Sequence, residues 1–261
     1  MKLNLIILAM LTSLAFNSCS TPRPSGETEA EILYKEAQQL SESGRYLLAT
    51  EKLNQIRSKY PYSYYATFAE LMGADVLYEQ ENYAEAAAAY IVFKDFHPRH
   101  KKAAYVMYRI GESFYNQIPD TYDRDLGPAF EAIKYFQELK RVHSSSEYAE
   151  KAQKRIDECE GMVRSKEQYI ADFYFKTEVY KAARFRYKSI IEEFREPKMR
   201  SHAMVRSFLA SAEMGDKTYC RQHNEFYKQM VTEDYLEDLT SAYDECLNTE
   251  VVMKTDEDKK D

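Results

Sequence analysis

The feature that most constrains the fold is a self-similarity. Gly44, Tyr46, Ala49, Leu53, Ile56 and Pro61 have the same mutual spacing as Glu81, Tyr83, Ala86, Tyr90, Phe93 and Pro98, and the two blocks lie 37 residues apart. A repeat of this length is one supersecondary unit that cannot bury its apolar face alone and must stack on copies of itself. Inside each block the apolar positions recur at intervals of three and four, the period of a helix facing a core. Upstream of each lies a second helical stretch with small residues at matching places, Ala37 in the first and Gly73-Ala74 in the second. Small residues at Ala37, Ala49, Ala74 and Ala86 let two helices approach, while Leu53 and Tyr90 fill the adjoining groove. Pro61 and Pro98 end the second helix of each pair, because proline lacks the N–H and clashes with the preceding turn.

This pattern resembles the tetratricopeptide repeat, a helical hairpin of about 34 residues. It continues less regularly. Gly111, Ala132, Phe136 and Leu139 take the same roles in a third unit, with Ser144 where the proline stood and the insertion NQIPDTYDRDLGP between its helices. Ala171, Tyr174, Tyr180, Ala183, Tyr187 and Ile190 give a fourth. A degenerate fifth, from Gly215 to Tyr227, carries Cys220 at the small position, as terminal capping repeats do. Between Ser145 and Glu178 there is no proline and only Gly161, which predicts one long helix, or two nearly abutting, joining units three and four. The expected fold is all-α, a right-handed superhelical solenoid of about five tetratricopeptide-like hairpins over residues 30–246.

Composition agrees and removes several functions. Only 7 Gly and 7 Pro occur in 261 residues, too few for the many turns of a β-sandwich or for a collagen-like chain. A mean hydropathy of -0.63 excludes a polytopic membrane protein. With 36 Lys and Arg against 43 Asp and Glu, the net charge of -7 gives non-specific nucleic-acid binding no electrostatic footing. The five histidines are scattered, and His97 and His100, which straddle Pro98, read as a solvated helix end and not as a ligand pair. No Gly-rich phosphate loop, GxSxG or HExxH occurs. From Glu147 to Glu160 the carboxylates alternate with Lys and Arg, a solvated face. The expectation is a chain that is not an enzyme and needs no cofactor or metal.

The amino terminus reads as an export signal. After Lys2 the run Leu3 to Phe16 is apolar apart from Asn4, Thr12 and Ser13, short of the roughly 20 residues of a membrane span. It closes on Phe16-Asn17-Ser18-Cys19, which resembles a bacterial lipobox, with Phe16 where leucine is usual. That resemblance implies a signal peptide over 1–18 and a Cys19 bearing three acyl chains, enough for firm anchoring. The other reading is an ordinary cleaved signal with an incidental Cys19. Ser20, in place of Asp, points by the same resemblance to the outer membrane. Residues 19–29, rich in Pro, Ser, Thr and Gly, are expected to be a flexible tether, and residues 247–261 a charged, disordered tail.

Of the remaining cysteines, Cys220 and Cys246 fall on neighbouring terminal helices where a bridge is conceivable in an exported protein. Three unpaired thiols, Cys159 included, is the other reading. The 23 tyrosines carry more information. Aligning the units puts Tyr34, Phe68, Leu71, Tyr78, Tyr105, Tyr108 and Tyr115 on the first-helix side that lines the inner face of a repeat superhelix, where aromatic rings serve as peptide anchors. The bland alternative is packing between hairpins, above all for Tyr105 and Tyr115.

Together, the lipobox, the tether, the five hairpins, the run GRYLLATEKLNQIRSKYPYSYYATFAELMGADVLYEQENYAEAAAAYIVFKDFHPRH and the later YRIGESFYNQIPDTYDRDLGPAFEAIKYFQEL resemble the BamD family of outer-membrane assembly lipoproteins. The most specific element is Asp123-Arg124-Asp125 followed by Ala129, Ala132 and Phe136. Departures are Ser144 and the segment Arg195-Glu196-Pro197. The resemblance implies a non-enzymatic subunit of the β-barrel assembly machine, lipid-anchored on the periplasmic face of the outer membrane. Its partners would be the barrel insertase, other assembly lipoproteins and unfolded barrel precursors. The amino-terminal repeats would receive a precursor's last strand, and units four and five would hold the insertase, with Arg184 and Arg186 as cationic points unless they pair with Glu178, Glu192 or Glu193. A different periplasmic repeat lipoprotein, scaffolding cell-envelope enzymes, is the alternative; it should lack the Asp-Arg-Asp insertion and the long joining helix.

Overall fold

The structure, a computed structural model, describes residues 23–121 and 124–249. Cys19, the expected signal, Asp123 of the insertion and the tail from 250 onward lie outside the described residues. Eleven α-helices follow one another among them, with one 3-10 turn and no strand. They are α1 (Glu29–Glu42), α2 (Tyr46–Lys59), α3 (Tyr64–Glu79), α4 (Tyr83–Phe96), α5 (Ala103–Tyr115), α6 (Gly127–Val142), α7 (Glu147–Lys176), α8 (Tyr180–Glu193), α9 (Pro197–Glu213), α10 (Lys217–Met230) and α11 (Leu236–Asn248). The chain divides into two compact units, Met1–Val106 and Met107–Asp261.

Local chemistry sets the boundaries. Thr28 and Ser63 in the first unit, and Ser146 in the second, accept a backbone N–H with the hydroxyl and start α1, α3 and α7, as N-cap residues do. Glu196 caps α9 ahead of Pro197, whose missing N–H costs nothing in the first turn. Four hairpins turn through a residue with positive φ: Gly44 at 73°, Glu81 at 61°, Glu178 at 62° and Gly215 at 67°. Gly44 and Glu81 are one 37-residue period apart, and so are Glu178 and Gly215. The third unit turns instead through its insertion.

In the first unit α1 packs on α2, α2 on α3 and α3 on α4. Ala37, Ala49, Leu53, Ile56, Ala69 and Val76 share one core, and Ala86, Tyr90 and Phe93 of α4 are buried as well. The small residues of the repeat are therefore at the helix contacts. Residues 23–28, expected to be part of a free tether, are held against α1: Arg23 pairs with Glu29 and Glu36, and Lys35 donates to the Ser25 carbonyl at 2.9 Å. The tether's charged ends find partners that its apolar poverty did not suggest.

In the second unit α7 is a single 30-residue helix, about 45 Å long at 1.5 Å per residue. Its first half packs on α6 through Ala152, Ile156 and Cys159, and its second half packs on α8 through Ala171. Gly111 lies so close to the buried Phe136 that an added Cβ would fall 2.4 Å from the ring. Cys220 of α10 and Cys246 of α11 are joined by a disulfide with Cα atoms 6.6 Å apart. The bridge pins α11, an extra capping helix, beside the degenerate last hairpin. Cys159 is the free cysteine among the described residues, and burial pushes its thiol up to about 11.

One tertiary device occurs in both units. Tyr90 and Tyr105 both donate to Asp75 Oδ1, at 2.6 and 2.7 Å. Ninety-seven residues on, Tyr187 donates to Asp172 Oδ1 at 2.6 Å and His202 Nε2 sits 3.0 Å from the same oxygen. In each case a carboxylate on a first helix is shared by its own second helix and by the following first helix. Burial alone would raise Asp172, but the hydrogen bonds from His202 and Tyr187 overcome it and hold the carboxyl below its ordinary range.

Candidate functional site

The cleft is in the first unit. The α4 sequence YAEAAAAYIVFKDF is apolar on nearly every side. One stripe, Ala86, Tyr90 and Phe93, is buried, whereas the next, Ala88, Val92 and Phe96, faces outward with Val92 54% and Phe96 77% exposed. A helix with apolar residues all round needs a second partner. That outward stripe forms one wall of a cavity of about 670 Å³ whose other walls are α2 (Thr50, Asn54, Arg57) and α3 (Glu70, Gly73, Leu77). Its floor is Leu53, Ala69, Ala74 and Phe93, all buried. Gly73 faces open space, since a Cβ added there would meet no atom within 4 Å. At one end the lining turns polar: His97 Nε2 and Glu70 Oε2 lie 2.9 Å apart beside Arg57. An apolar cleft of a few hundred Å³ with a few polar groups at its rim is the usual form of a binding site.

The aromatic residues singled out from sequence lie elsewhere and are divided. In the first unit Tyr34 and Phe68 do meet, with centroids 6.1 Å apart, among Tyr64 and Tyr65. Tyr78 packs on Tyr83 at 5.2 Å, and Tyr105 is engaged by Asp75. Leu71 is only 2% exposed and belongs to the interior; one residue on from Glu70, it is turned about 100° around the helix from the cleft rim. Tyr108 and Tyr115 are in the second unit. There Tyr108 packs on Phe136 and Tyr148, and burial, with Glu112 nearby, pushes its hydroxyl up to about 12. Tyr115 lies under Arg155, whose guanidinium is 4.1 Å from the ring and donates to Glu112 at 2.7 Å and Glu158 at 2.8 Å. These rings are largely taken up by packing within the chain.

Arg184 is likewise engaged. Its Nη1 donates to Asp216 at 2.7 Å and Ser211 at 3.0 Å, and its guanidinium lies 4.5 Å from the Tyr219 ring. The same hydrogen bond holds the Asp216 carboxyl below its usual range. Arg186 reaches Glu167 at 3.5 Å. The partners are thus Asp216 and Glu167, not Glu178, Glu192 or Glu193, because neighbouring helices supply closer carboxylates than the arginines' own helix does.

Among the described residues no group of three or more His, Cys, Asp or Glu side chains is placed to hold a metal ion. No helix among them is long and apolar enough to cross a membrane.

Residues 26–226 match the outer membrane lipoprotein family YfiO. The chain belongs to this family. It is similar to proteins named outer membrane protein assembly factor BamD in several bacteria. The one from Vibrio cholerae is 30% identical over 192 residues, which cover 70% of this chain and 80% of that one. The one from Neisseria gonorrhoeae is 30% identical over 206 residues, covering 72% and 77%. The Rickettsia prowazekii protein is 28% identical over 197 residues, covering 74% and 78%. Among solved structures, the TPR2AB-domain:pHSP90 complex of yeast Sti1 aligns at 13% identity and a TM-score of 0.42 over 85% of this chain and all of that one. The helical-repeat fold rests on the hairpins described above.

Proposed function

We propose that the protein is a non-enzymatic assembly factor for outer-membrane proteins, anchored through lipid on Cys19 at the periplasmic face of the outer membrane. Its first unit holds an apolar segment of an unfolded barrel precursor in the cleft between α2, α3 and α4. The observation that carries this reading is the open cleft within a chain of the outer membrane lipoprotein family. The last strand of a barrel alternates apolar and polar residues, and its unpaired edge is an aggregation hazard until it is inserted. Ala88, Val92 and Phe96 offer the apolar side of such a strand a surface, while Arg57 is placed for a carboxylate at its end. The second unit docks on the barrel insertase and its companion lipoproteins. With Arg184 committed to Asp216 and Arg186 reaching Glu167, the exposed Phe185 of α8 is the point offered to that contact, and Arg184 acts by fixing α8 against α10.

A photo-crosslinking residue placed at Val92 tests the cleft. It should capture a peptide copied from the last strand of an outer-membrane barrel, and Ala89→Phe, which fills the cleft from its wall, should cut capture at least about tenfold while helical content is kept. Equal capture by the filled and open proteins would place the client elsewhere.

A further inference from the structure

The two turns that join the hairpins of the first unit carry complementary chemistry. In the α2–α3 turn and the start of α3 stand Tyr62, Tyr64 and Tyr65. One repeat later the same positions, in the α4–α5 turn, are Arg99, Lys101 and Lys102. Tyr62 is 100% and Tyr64 68% exposed, and all three cations are exposed. Phe68 joins the two turns: Tyr64 packs on it at 4.7 Å, His100 at 5.8 Å, and the Lys101 ammonium lies 5.3 Å from its ring. Tyr64, Phe68, Arg99, His100 and Lys101 line a shallow hollow of about 350 Å³.

Three points bear on what this surface meets. Among the described residues no carboxylate pairs with Arg99, Lys101 or Lys102, although the chain is acidic overall and many of its other cations are paired. Glu70 of α3 is taken by His97. Burial first, and then the charges of the neighbouring Lys101 and Lys102 with His97 beside them, hold the His100 imidazole below its ordinary value. Finally, the chain enters the first unit along α1, a helix that also borders this surface. Arg23 is tied to α1, and Tyr34 of α1 packs on Tyr65 and Phe68. Arg23 is four peptide steps from Cys19, at most about 14 Å of chain.

We infer that this end of the first unit rests on a phospholipid surface, with Tyr62 and Tyr64 at the level of the headgroups and Arg99, Lys101 and Lys102 against their phosphates. Tyrosine rings sit at membrane interfaces because one end is apolar and the other hydrogen-bonds, and clustered Lys and Arg add electrostatic attraction to anionic lipid. The inference rests on the proposed anchoring at Cys19, which would bring the surface within reach of a leaflet. An acidic or carboxylate-ended peptide has part of the same chemistry, but it needs neither the fully exposed Tyr62 nor the nearness of the anchor.

The chain has no tryptophan, so Tyr62→Trp installs a single indole at a position whose side chain is fully exposed. The full lipidated protein is reconstituted on vesicles of phosphatidylethanolamine and phosphatidylglycerol brominated high on the acyl chains. Flotation reports anchoring, and indole quenching reports contact. The expected result is flotation with strong quenching of the Tyr62→Trp variant and none for Leu47→Trp, an exposed position at the other end of α2. Adding Arg99→Glu, Lys101→Glu and Lys102→Glu should leave flotation intact and reduce the quenched fraction at least about tenfold. Failure to float would sink the anchoring reading and this inference with it. Flotation without quenching overturns the inference alone, as does an indole that responds to a barrel-strand peptide and not to brominated lipid.

Discussion

Two helical glycines show how far a single residue's role depends on what stands opposite it. In isolation a glycine inside a helix costs about 0.5–1 kcal/mol relative to alanine, so Gly→Ala should stabilise. At Gly73 nothing opposes the added methyl, and Gly73→Ala should raise stability by up to about 1 kcal/mol while narrowing the cleft slightly. At Gly111 the methyl would fall 2.4 Å from the ring of Phe136, which is fully buried and cannot retreat. Gly111→Ala should therefore lose about 1–3 kcal/mol through overpacking, net of the helix gain. Urea unfolding midpoints give both signs, and a stabilised Gly111→Ala protein would contradict the contact with Phe136. Both glycines read in the sequence as small residues admitting a neighbouring helix. That is true of Gly111 and of Ala74, but Gly73 is small beside a space, and a pattern of residue sizes carries no record of what lies across from them.

The helices themselves were legible because each is delimited by local chemistry: a period of three and four, a Ser or Thr cap, a proline or an αL turn. The positions 44, 81, 178 and 215 repeat a turn that glycine takes without strain, yet Glu81 and Glu178 occupy it with φ near 60°. A side chain in that region costs about 1–2 kcal/mol, against the roughly 0.5–1 kcal/mol that glycine costs by loosening the unfolded chain. Glu81→Gly and Glu178→Gly should each stabilise by several tenths to about 1 kcal/mol, and Gly44→Glu should destabilise by a similar amount. Thermal melting of the three variants decides it; a loss on both Glu→Gly changes would mean that the turns are not left-handed. The parts of the site that escaped the sequence are the non-local ones. Ala88, Val92 and Phe96 look like core in an all-apolar helix until the neighbouring helices are seen to leave them uncovered. Arg184 finds Asp216 from 32 residues away, whereas a reading of the nearby sequence offers it Glu178, Glu192 or Glu193.

At the scale of the whole chain each unit closes a core of its own, and the devices that hold them differ. The first has packing, the shared Asp75 and ion pairs such as Lys52 with Glu36 and His97 with Glu70, while the second adds Arg155 between Glu112 and Glu158, Arg184 on Asp216, and the Cys220–Cys246 bridge. The bridge spans a sequence separation of 26 residues, a loop whose closure restricts the unfolded chain by about 3–4 kcal/mol on the entropic account. In a repeat protein, stability is carried by each repeat and its nearest neighbours, so the loss of a terminal staple should be felt locally. Replacing both cysteines by serine, or reducing the oxidised protein, should release α11 and with it the packing of Leu239 and Ala242 in the core that contains Phe208. Amide hydrogen exchange should then accelerate in α9, α10 and α11 and stay unchanged in α1 to α4, where the cleft lies. The same reduced protein should still crosslink a barrel-strand peptide through a probe at Val92, and it should lose insertase co-purification if that contact belongs to the second unit. Exchange that rises equally in α1 to α4 would show that the two units open as one cooperative block, and client binding would then be as sensitive to reductant as docking.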